Sequence, residues 1–187
     1  RKGPPPPARG RGRGAVATRA GSHRIFGWVP PASEDRTVRL WDFRARSKDA
    51  VRTFRSHSDG INTIAISPNG RFIASAGSDP AIRIFDIEHG SQCETLPGTQ
   101  GCTFWALDYS LDGTILASGD SGGNVHLWDA ALAQGQAAPL RQRKRDRSGN
   151  GKFLLKSVSA EARNIVGLQF SARNLLFALA PFQGVIP

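Results

Sequence analysis

The most regular alternation of apolar and polar positions lies between residues 61 and 87, INTIAISPNGRFIASAGSDPAIRIFDI. Three short runs rich in β-branched and small residues are separated by two turn signals, SPNG at 67–70 and DP at 79–80. Period-two alternation with β-branched residues predicts strands, and Pro, Asn and Gly favour tight turns. The stretch therefore predicts three antiparallel strands joined by two hairpin turns.

The same pattern recurs along the chain at a fixed interval. A similar set of apolar runs fills residues 102–130, and the last element of the pattern also occupies residues 37–42. Each set closes on an aromatic residue followed by Asp, and the three aromatic residues are 44 and 43 residues apart; the pairs are Trp41 and Asp42, Phe85 and Asp86, and Trp128 and Asp129. Repeats of about 40 to 45 residues that end in Trp-Asp are typical of the four-stranded blades of WD-repeat β-propellers.

The chain resembles the WD-repeat family, and the resemblance implies a buried polar network in each blade. In that family a His, a Ser or Thr, an Asp and the Trp form a hydrogen-bonded chain, which fixes one arrangement of the buried polar groups. The middle repeat would build it from His57, Ser75 and Asp79, with Phe85 in the place of the Trp and unable to donate. The flanking repeats would contribute Asp35 with Trp41, and Ser118 with Trp128.

The domain organisation follows from these repeats. We expect an all-β fold, an incomplete WD-repeat β-propeller of about three four-stranded blades over residues 33–182, with blade ends near residues 42, 86 and 129. An insertion at 131–151 precedes an outer strand, and a strand pair at 164–182 ends the domain. Residues 1–32 begin RKGPPPPARGRGRG and are predicted to be a disordered basic tail. The chain begins with Arg and contains no Met, so we expect it to be part of a longer protein.

The net charge of +10 is concentrated in the flanks. Residues 53–140 contain 3 Lys and Arg against 9 Asp and Glu, whereas residues 1–52 contain 13 against 4. The densest basic cluster, RQRKRDR, consists of Arg141, Arg143, Lys144, Arg145 and Arg147, with Gln142 and Asp146 between them. Such a run is either a solvated insertion loop or a nuclear-import or nucleic-acid contact. Because the basic residues do not follow a predicted sheet face, any contact with nucleic acid would be indirect or weak.

The sequence lacks the usual patterns of secreted, membrane-spanning, metal-binding and phosphate-binding proteins. No apolar run is long enough for a signal peptide core or a membrane span, and two cysteines, Cys93 and Cys102, do not form a disulfide framework. We therefore expect a soluble intracellular protein that does not act at a membrane. The four His show no metal-ligand spacing with Cys, and no GxxxxGK[ST] phosphate loop is present. We expect no metal and no cofactor.

An enzymatic alternative rests on residues 119–123, GDSGG, which match most of the nucleophile motif of trypsin-like serine proteases. Catalysis at Ser121 would need a His to accept its proton and an Asp to orient that His. The chain lacks the His-bearing strand motif of that family, and Asn124 replaces the expected Pro. We therefore expect no enzymatic activity.

A narrower resemblance concerns the end of the domain. FLLKSV at 153–158, an interruption, and IVGLQFSARNLLFALAPF at 165–182 are similar to the C-terminal strands of the WD-repeat subunits of general transcription factor TFIID. The resemblance implies a non-catalytic nuclear scaffold in transcription initiation that binds histone-fold TBP-associated factors and the TATA-binding protein complex, and in some lineages belongs to SAGA-type coactivators. The alternatives are a WD-repeat scaffold of another complex, in RNA processing or ubiquitin ligation, and RNA binding through the Arg-Gly tail.

Overall fold

The computed structural model describes residues 25–28, 36–42, 52–135, 153–160 and 164–181. These residues form thirteen strands and one short helix. In chain order they are β1 Ile25–Trp28, β2 Thr37–Asp42, β3 Arg52–Arg55, β4 Ile61–Ile66, β5 Phe72–Gly77, β6 Ala81–Asp86, β7 Ser91–Pro97, β8 Phe104–Tyr109, β9 Ile115–Asp120, β10 Asn124–Asp129, α1 Ala130–Ala133, β11 Leu154–Ser159, β12 Gly167–Phe170 and β13 Leu176–Leu179.

The strands form four antiparallel sheets in which each strand pairs with its neighbour in sequence. The first sheet is β1-β2-β3, the second β4-β5-β6-β7, the third β8-β9-β10-β11 and the fourth β12-β13. Pairing of sequence neighbours allows short hairpin connections. β11 also pairs with its neighbour β10, but the connection between these two strands is long, because it contains α1 and the predicted insertion.

Two turns show why the second and third sheets have the same shape. Ser67 Oγ accepts from the first amide of β5 and donates to Asn69 Oδ1, which is 2.6 Å away. Ser110 Oγ likewise accepts from the first amide of β9 and donates to Asp112 Oδ1, also 2.6 Å away. A Gly with positive φ follows in both turns. Equivalent local hydrogen bonds therefore set equivalent hairpins 43 residues apart.

The second sheet is buried on both faces. One face packs against the first sheet and the other against the third, which explains why every residue of β5 is buried. The cluster shared with the first sheet contains Val38, Leu40, Phe54, Ile61, Ile64, Ile66, Ile73, Phe85 and Ile87. The cluster shared with the third sheet contains Ala65, Phe72, Ala74, Ala76, Ile82, Ile84, Leu96, Phe104, Leu107, Tyr109, Leu116, Trp128, Ala130, Ala133 and Phe153.

Two side chains attach the fourth sheet to the third. Asp108 Oδ2 in β8 accepts from the Phe170 amide in β12 at 2.6 Å. Asn174 Oδ1, in the turn between β12 and β13, accepts from the Leu111 amide at 3.0 Å. Asn174 has a φ of 55°, a left-handed conformation that Asn tolerates better than most residues. The ARNLL segment thus forms a specific turn that contacts the preceding hairpin.

The N-terminal boundary differs from the prediction. Residues 1–32 were expected to be a disordered tail, but Ile25–Trp28 form β1 and pair with β2, with Phe26 opposite Trp41. The prediction of disorder therefore does not hold for these four residues. Their apolar sequence, IFGW, is short and lies within a basic region, so composition obscured the strand. The rest of the predicted tail lies outside the described residues.

Candidate functional site

Four polar side chains form a buried network at the end of the second sheet where β4 begins. His57 precedes β4, Ser75 lies in β5, Asp79 lies in the turn before β6, and Arg83 lies in β6. His57 Nε2 is 2.6 Å from Ser75 Oγ. Arg83 Nη1 is 2.6 Å from Asp79 Oδ2 and 2.8 Å from His57 Nδ1. The hairpins thus bring together His57, Ser75 and Asp79, which are 22 residues apart at most.

Arg83 is the member of the network that the sequence analysis missed. Phe85, at the position of the family Trp, packs its ring against Phe54 of the first sheet with centroids 4.8 Å apart. It keeps the aromatic packing of that position but supplies no donor. A charged residue between Ile82 and Ile84, both fully buried, was the available signal, because a strand buried on both faces accommodates a charge only with a partner.

The network fixes His57 in one protonation state. Arg83 can only donate, so His57 Nδ1 must accept and Nε2 carries the proton that is donated to Ser75. Burial and the nearby Arg83 charge lower the pKa of His57 to about 4. Burial alone would raise the pKa of Asp79, but hydrogen bonds from Ser58 and Arg83 outweigh it and lower that pKa. The network therefore combines a neutral His57 with an ionised Asp79 at neutral pH.

The geometry of Ser75, His57 and Asp79 is superficially that of a hydrolytic triad. A nucleophilic Ser needs a His nitrogen that accepts its proton. Here His57 Nε2 carries a proton and donates to Ser75 Oγ, and Ser75 is 0% exposed. The three residues therefore act as a structural network of the sheet.

Ser121, the residue of the protease-like motif, closes a turn. Its hydroxyl accepts from the Thr103 amide at 3.0 Å, and its own amide donates to the Thr103 carbonyl at 2.8 Å. This reciprocal pair joins the β9–β10 turn to the residue before β8. The GDSGG segment thus has a structural role, which is to stabilise the β9–β10 hairpin.

The third sheet also contains a buried Ser that needs a hydrogen-bond donor, and a different residue type supplies it. Trp128 Nε1 donates to Ser118 Oγ at 2.9 Å, and both residues are buried. Gly122 stands where the second sheet has Asp79, and Asp120 supplies the carboxylate instead. Asp120 accepts from the Asn124 amide at 2.9 Å and lies 3.2 Å from His126 Nε2. The carboxylate of the third sheet therefore lies in strand β9, whereas that of the second sheet lies in a turn.

Asp86 and Asp129, from two of the aromatic-Asp pairs, cap the segments that follow them. Asp86 accepts from the amides of Glu88 and His89 and forms an ion pair with Arg71. Burial opposes ionisation of Asp86, but hydrogen bonds from His89, Arg71 and Glu88 lower its pKa to about 2. Asp129 is the N-cap of α1 and accepts from Leu132. These residues therefore stabilise local turns.

Several predicted residues have no described side-chain environment. Trp41 and Asp42 form the end of β2, where their backbones pair with Phe26 and Ile25. Asp35 lies outside the described residues. So does the predicted import cluster, Arg141, Arg143, Lys144, Arg145 and Arg147.

One large aromatic side chain of the third sheet is exposed, and the sequence analysis did not single it out. Trp105, in β8, is 46% exposed, although both of its neighbours in the strand are buried. A β-bulge between Phe104 and Ala106 leaves Trp105 without an opposite residue in β9. An apolar run in the sequence does not reveal where a bulge lies.

Other site chemistry is limited within the described ranges. No group of three or more His, Cys, Asp or Glu that could hold a metal occurs among these residues. Cys93 and Cys102 are free thiols, and burial raises the pKa of Cys93. No helix in the described part of the chain has the length and apolar character needed to cross a membrane.

Comparison with known proteins identifies the repeats. The family "WD domain, G-beta repeat" matches residues 48–86 and 90–129. A Zea mays "Guanine nucleotide-binding protein subunit beta" is 33% identical over 106 residues, which is 54% of this chain and 28% of that protein. The Arabidopsis thaliana "WD repeat-containing protein VIP3" is 36% identical over 116 residues, covering 56% of this chain and 35% of that protein.

A Nicotiana tabacum "Guanine nucleotide-binding protein subunit beta-1" is 36% identical over 124 residues, covering 64% of this chain and 32% of that protein. The matched part thus spans roughly a third of the length of these curated relatives. The matched repeats include the second sheet and most of the third, whose four-stranded antiparallel form confirms the predicted all-β, propeller-type fold. Residues 48–86 and 90–129 therefore match WD40 repeats, and the chain is similar to WD-repeat proteins.

Proposed function

We propose that the chain is part of a non-catalytic protein-interaction scaffold in RNA polymerase II transcription initiation, a WD-repeat subunit of TFIID or of a SAGA-type coactivator. Its proposed partners are histone-fold TBP-associated factors and the TATA-binding protein complex, and its proposed compartment is the nucleus. In this role the sheets hold binding surfaces in fixed positions and carry out no reaction.

The observation that carries this proposal is the C-terminal segment. The sequence that resembles TFIID subunits folds as the outer strand β11 and the β12–β13 hairpin. Asn174 of the ARNLL turn contacts the Leu111 amide, and Asp108 contacts the Phe170 amide, so this hairpin has specific contacts with the third sheet. A segment with a defined structural role supports the resemblance better than a generic repeat strand does.

The buried polar groups support a scaffold over an enzyme. His57, Ser75, Asp79 and Arg83 satisfy one another inside the second sheet, and Ser118 and Trp128 do so inside the third. Fully satisfied networks of this kind specify a unique packing. These buried polar side chains therefore stabilise the sheets. Partner binding is left to side chains on the surface.

A second candidate follows from the relatives. Three of those reported above are a "Guanine nucleotide-binding protein subunit beta", a "subunit beta-1" and "WD repeat-containing protein VIP3". Two of these names describe subunits, and identities of 33 to 36% extend over 106 to 124 residues. A subunit of a guanine nucleotide-binding protein assembly is therefore the alternative scaffold role.

Affinity purification of the tagged endogenous protein from nuclear extract, followed by mass spectrometry, tests the proposal. We expect TATA-binding protein and histone-fold subunits to be recovered in stoichiometric amounts. Recovery of a guanine nucleotide-binding protein assembly instead, or of an RNA-processing or ubiquitin-ligase complex, would reject the transcription role and retain a scaffold role. Recovery of no stable protein partner would reject both.

Nuclear localisation is tested separately because it depends on the basic cluster. Replacing the five basic residues of residues 141–147 with Ala in a fluorescently tagged protein should abolish nuclear accumulation if the cluster is an import signal. Replacement of exposed Glu88 by Ala serves as a control at an unrelated surface. Unchanged accumulation of the cluster variant would remove the cluster from the proposal.

A further inference from the structure

Three large apolar side chains form an exposed row on the fourth sheet, here named the β13 row. Leu175, Phe177 and Leu179 are 60%, 59% and 67% exposed. They are two residues apart in and just before β13, so they project from the same face of the sheet. Gln169, the residue of β12 opposite Phe177, is exposed as well. This face of the hairpin therefore presents the apolar row to solvent.

The length of the β12–β13 turn determines which side chains form the β13 row. Ser171 Oγ accepts from the Leu175 amide, as Ser67 Oγ accepts from the Phe72 amide in the second sheet. Three residues, 172–174, separate the two bonded residues in the fourth sheet, and four, 68–71, separate them in the second. The shorter turn thus moves β13 by one residue relative to β5, and a shift of one residue exchanges the two faces of a strand.

The β13 row corresponds to positions that are buried in the second sheet. Counted from the amide that bonds to the turn Ser, these positions in β5 are Phe72, Ala74 and Ala76. All three belong to the apolar cluster between the second and third sheets. The β13 row therefore continues the series of sheet-to-sheet interfaces, but none of the described strands covers it.

Side-chain size distinguishes the β13 row from those buried positions. The last two positions of the row are occupied by small residues in the other sheets, namely Ala74 and Ala76 in β5 and Ala117 and Gly119 in β9. A Cβ atom on Gly119 would overlap Ile165, which precedes β12, so the next sheet approaches closely there. A sheet that stacked in this way would overlap Phe177 and Leu179. The row instead fits a surface about 10 Å away, the spacing at which large side chains of two packed sheets interdigitate.

The order and charge of the side chains favour a second copy of the chain as that surface. The row reads Leu, Phe, Leu in both directions. A two-fold axis beside Phe177 therefore places the two Phe177 rings together and Leu175 against Leu179 of the second copy. Residues 164–181 contain one charged residue, Arg173, which lies in the turn. Two copies thus meet without repulsion between like charges, and this face offers no charge that would select a different partner.

We propose that two copies of the chain associate through their fourth sheets, with the β13 rows packed face to face about a two-fold axis at Phe177. The three side chains expose on the order of 350 Å² per copy, less than the roughly 800 Å² that each partner buries in a stable complex. The association is therefore reversible, with a dissociation constant on the order of 100 µM. This inference goes beyond the proposed scaffold role, because it does not depend on the identity of the other subunits.

Sedimentation equilibrium of the full chain, between about 5 µM and 1 mM, tests the association. We expect the molar mass to rise reversibly with concentration, from that of one chain to that of two. The mass of one chain at every concentration would overturn the proposal. Assemblies that grow beyond two copies would also overturn it, because a two-fold contact closes on itself.

A charge at the axis should prevent association. Phe177→Asp places two carboxylates against each other and removes the central ring, so it should raise the dissociation constant by about tenfold or more. Trp105→Asp is the matched control, because it places the same charge at another exposed aromatic residue, on the third sheet. It should change the dissociation constant by less than about twofold. Equal effects of the two variants would overturn the proposal.

A pair of double variants tests the two-fold arrangement without changing Phe177. Leu175→Lys with Leu179→Lys places Lys against Lys at both outer contacts, whereas Leu175→Lys with Leu179→Glu places Lys against Glu. At low salt the second variant should associate about tenfold more tightly than the first. Both substituted positions are exposed, so the fold is retained, which far-UV circular dichroism checks. Equal dissociation constants for the two double variants would overturn the proposal.

Discussion

The second and third sheets share a backbone plan but satisfy the same buried Ser in different ways. Ser75 and Ser118 occupy equivalent positions in β5 and β9, and both are completely buried. Ser75 accepts from His57, a residue outside the strands, whereas Ser118 accepts from Trp128 in the neighbouring strand. The repeat therefore preserves a buried hydroxyl that needs a donor, and each sheet supplies the donor from a different element.

The two sheets also differ in the position and the partners of their buried carboxylate. Asp79 lies in the β5–β6 turn and pairs with Arg83, while Asp120 ends β9 and contacts Asn124 and His126. Arg83 and His126 occupy equivalent positions in β6 and β10. The comparison shows that loss of the family Trp at Phe85 accompanies an ionic network in the second sheet. Stability of the second sheet should therefore depend on charge more than that of the third.

Removal of Asp79 should have the largest effect. Asp79→Ala leaves the largely buried Arg83 without its carboxylate, and breaking a buried ion pair costs about 3–5 kcal/mol. Urea denaturation should show this loss in the free energy of unfolding. Asp59→Ala, which removes an exposed carboxylate two residues before β4, is the matched control and should change it by less than about 0.5 kcal/mol.

A double variant distinguishes the ion pair from other roles of Asp79. Asp79→Ala combined with Arg83→Met removes both charges and should recover more than half of the loss, because an apolar pair carries no unpaired charge. If Asp79→Ala is no worse than Asp59→Ala, the network does not stabilise the second sheet as described.

Acidification should have the next largest effect. The pKa of His57 is about 4 in the folded chain and 6.5 in the unfolded chain, so the unfolded state binds more protons between these values. The stability associated with neutral His57 is therefore present above pH 6.5 and is lost as the pH falls towards 4. A difference of this size corresponds to roughly 3 kcal/mol.

Thermal unfolding between neutral pH and pH 4.5 should reveal this dependence as a falling Tm. His57→Gln removes the titrating group and should flatten the profile across that window. His89→Gln removes a His that is largely exposed and serves as the control. An unchanged slope in His57→Gln would show that another group causes the acid sensitivity.

The smallest of these effects concerns Trp128. Trp128→Phe gives the third sheet the aromatic residue of the second but removes the donor to Ser118, and a buried hydroxyl left without its donor costs about 1–3 kcal/mol. Trp105→Phe, at an exposed position of the same sheet, should cost less than about 0.5 kcal/mol. Guanidinium denaturation compares the two variants. Equal losses would mean that the Trp128–Ser118 hydrogen bond adds no stability beyond ring packing.

Local patterns predicted much of this molecule. The runs at 61–66, 72–77 and 81–86 form β4, β5 and β6, and their turns use the predicted Pro, Asn and Gly chemistry. The resemblance to the WD-repeat family also implied His57, Ser75 and Asp79, and the structure brings these three residues together. These features were accessible because a strand alternates with period two and a repeat places equivalent residues at equal intervals.

Arg83 and Trp105 could not be assigned in that way. Arg83 has a partner only because the β5–β6 turn returns Asp79 to within 2.6 Å of it. Trp105 is exposed and lies at a bulge of β8, and a bulge depends on how two strands align. The IFGW segment likewise became a strand by pairing with β2 despite its basic surroundings.

The sequence by itself determined the all-β class and the repeat interval, because these depend on periodicity and on the chemistry of single residues. Only the tertiary structure decided which donor meets each buried Ser, which carboxylate pairs with Arg83 and which face of β8 exposes Trp105. Those outcomes depend on distances between segments that are separated in sequence, and local patterning does not encode these distances.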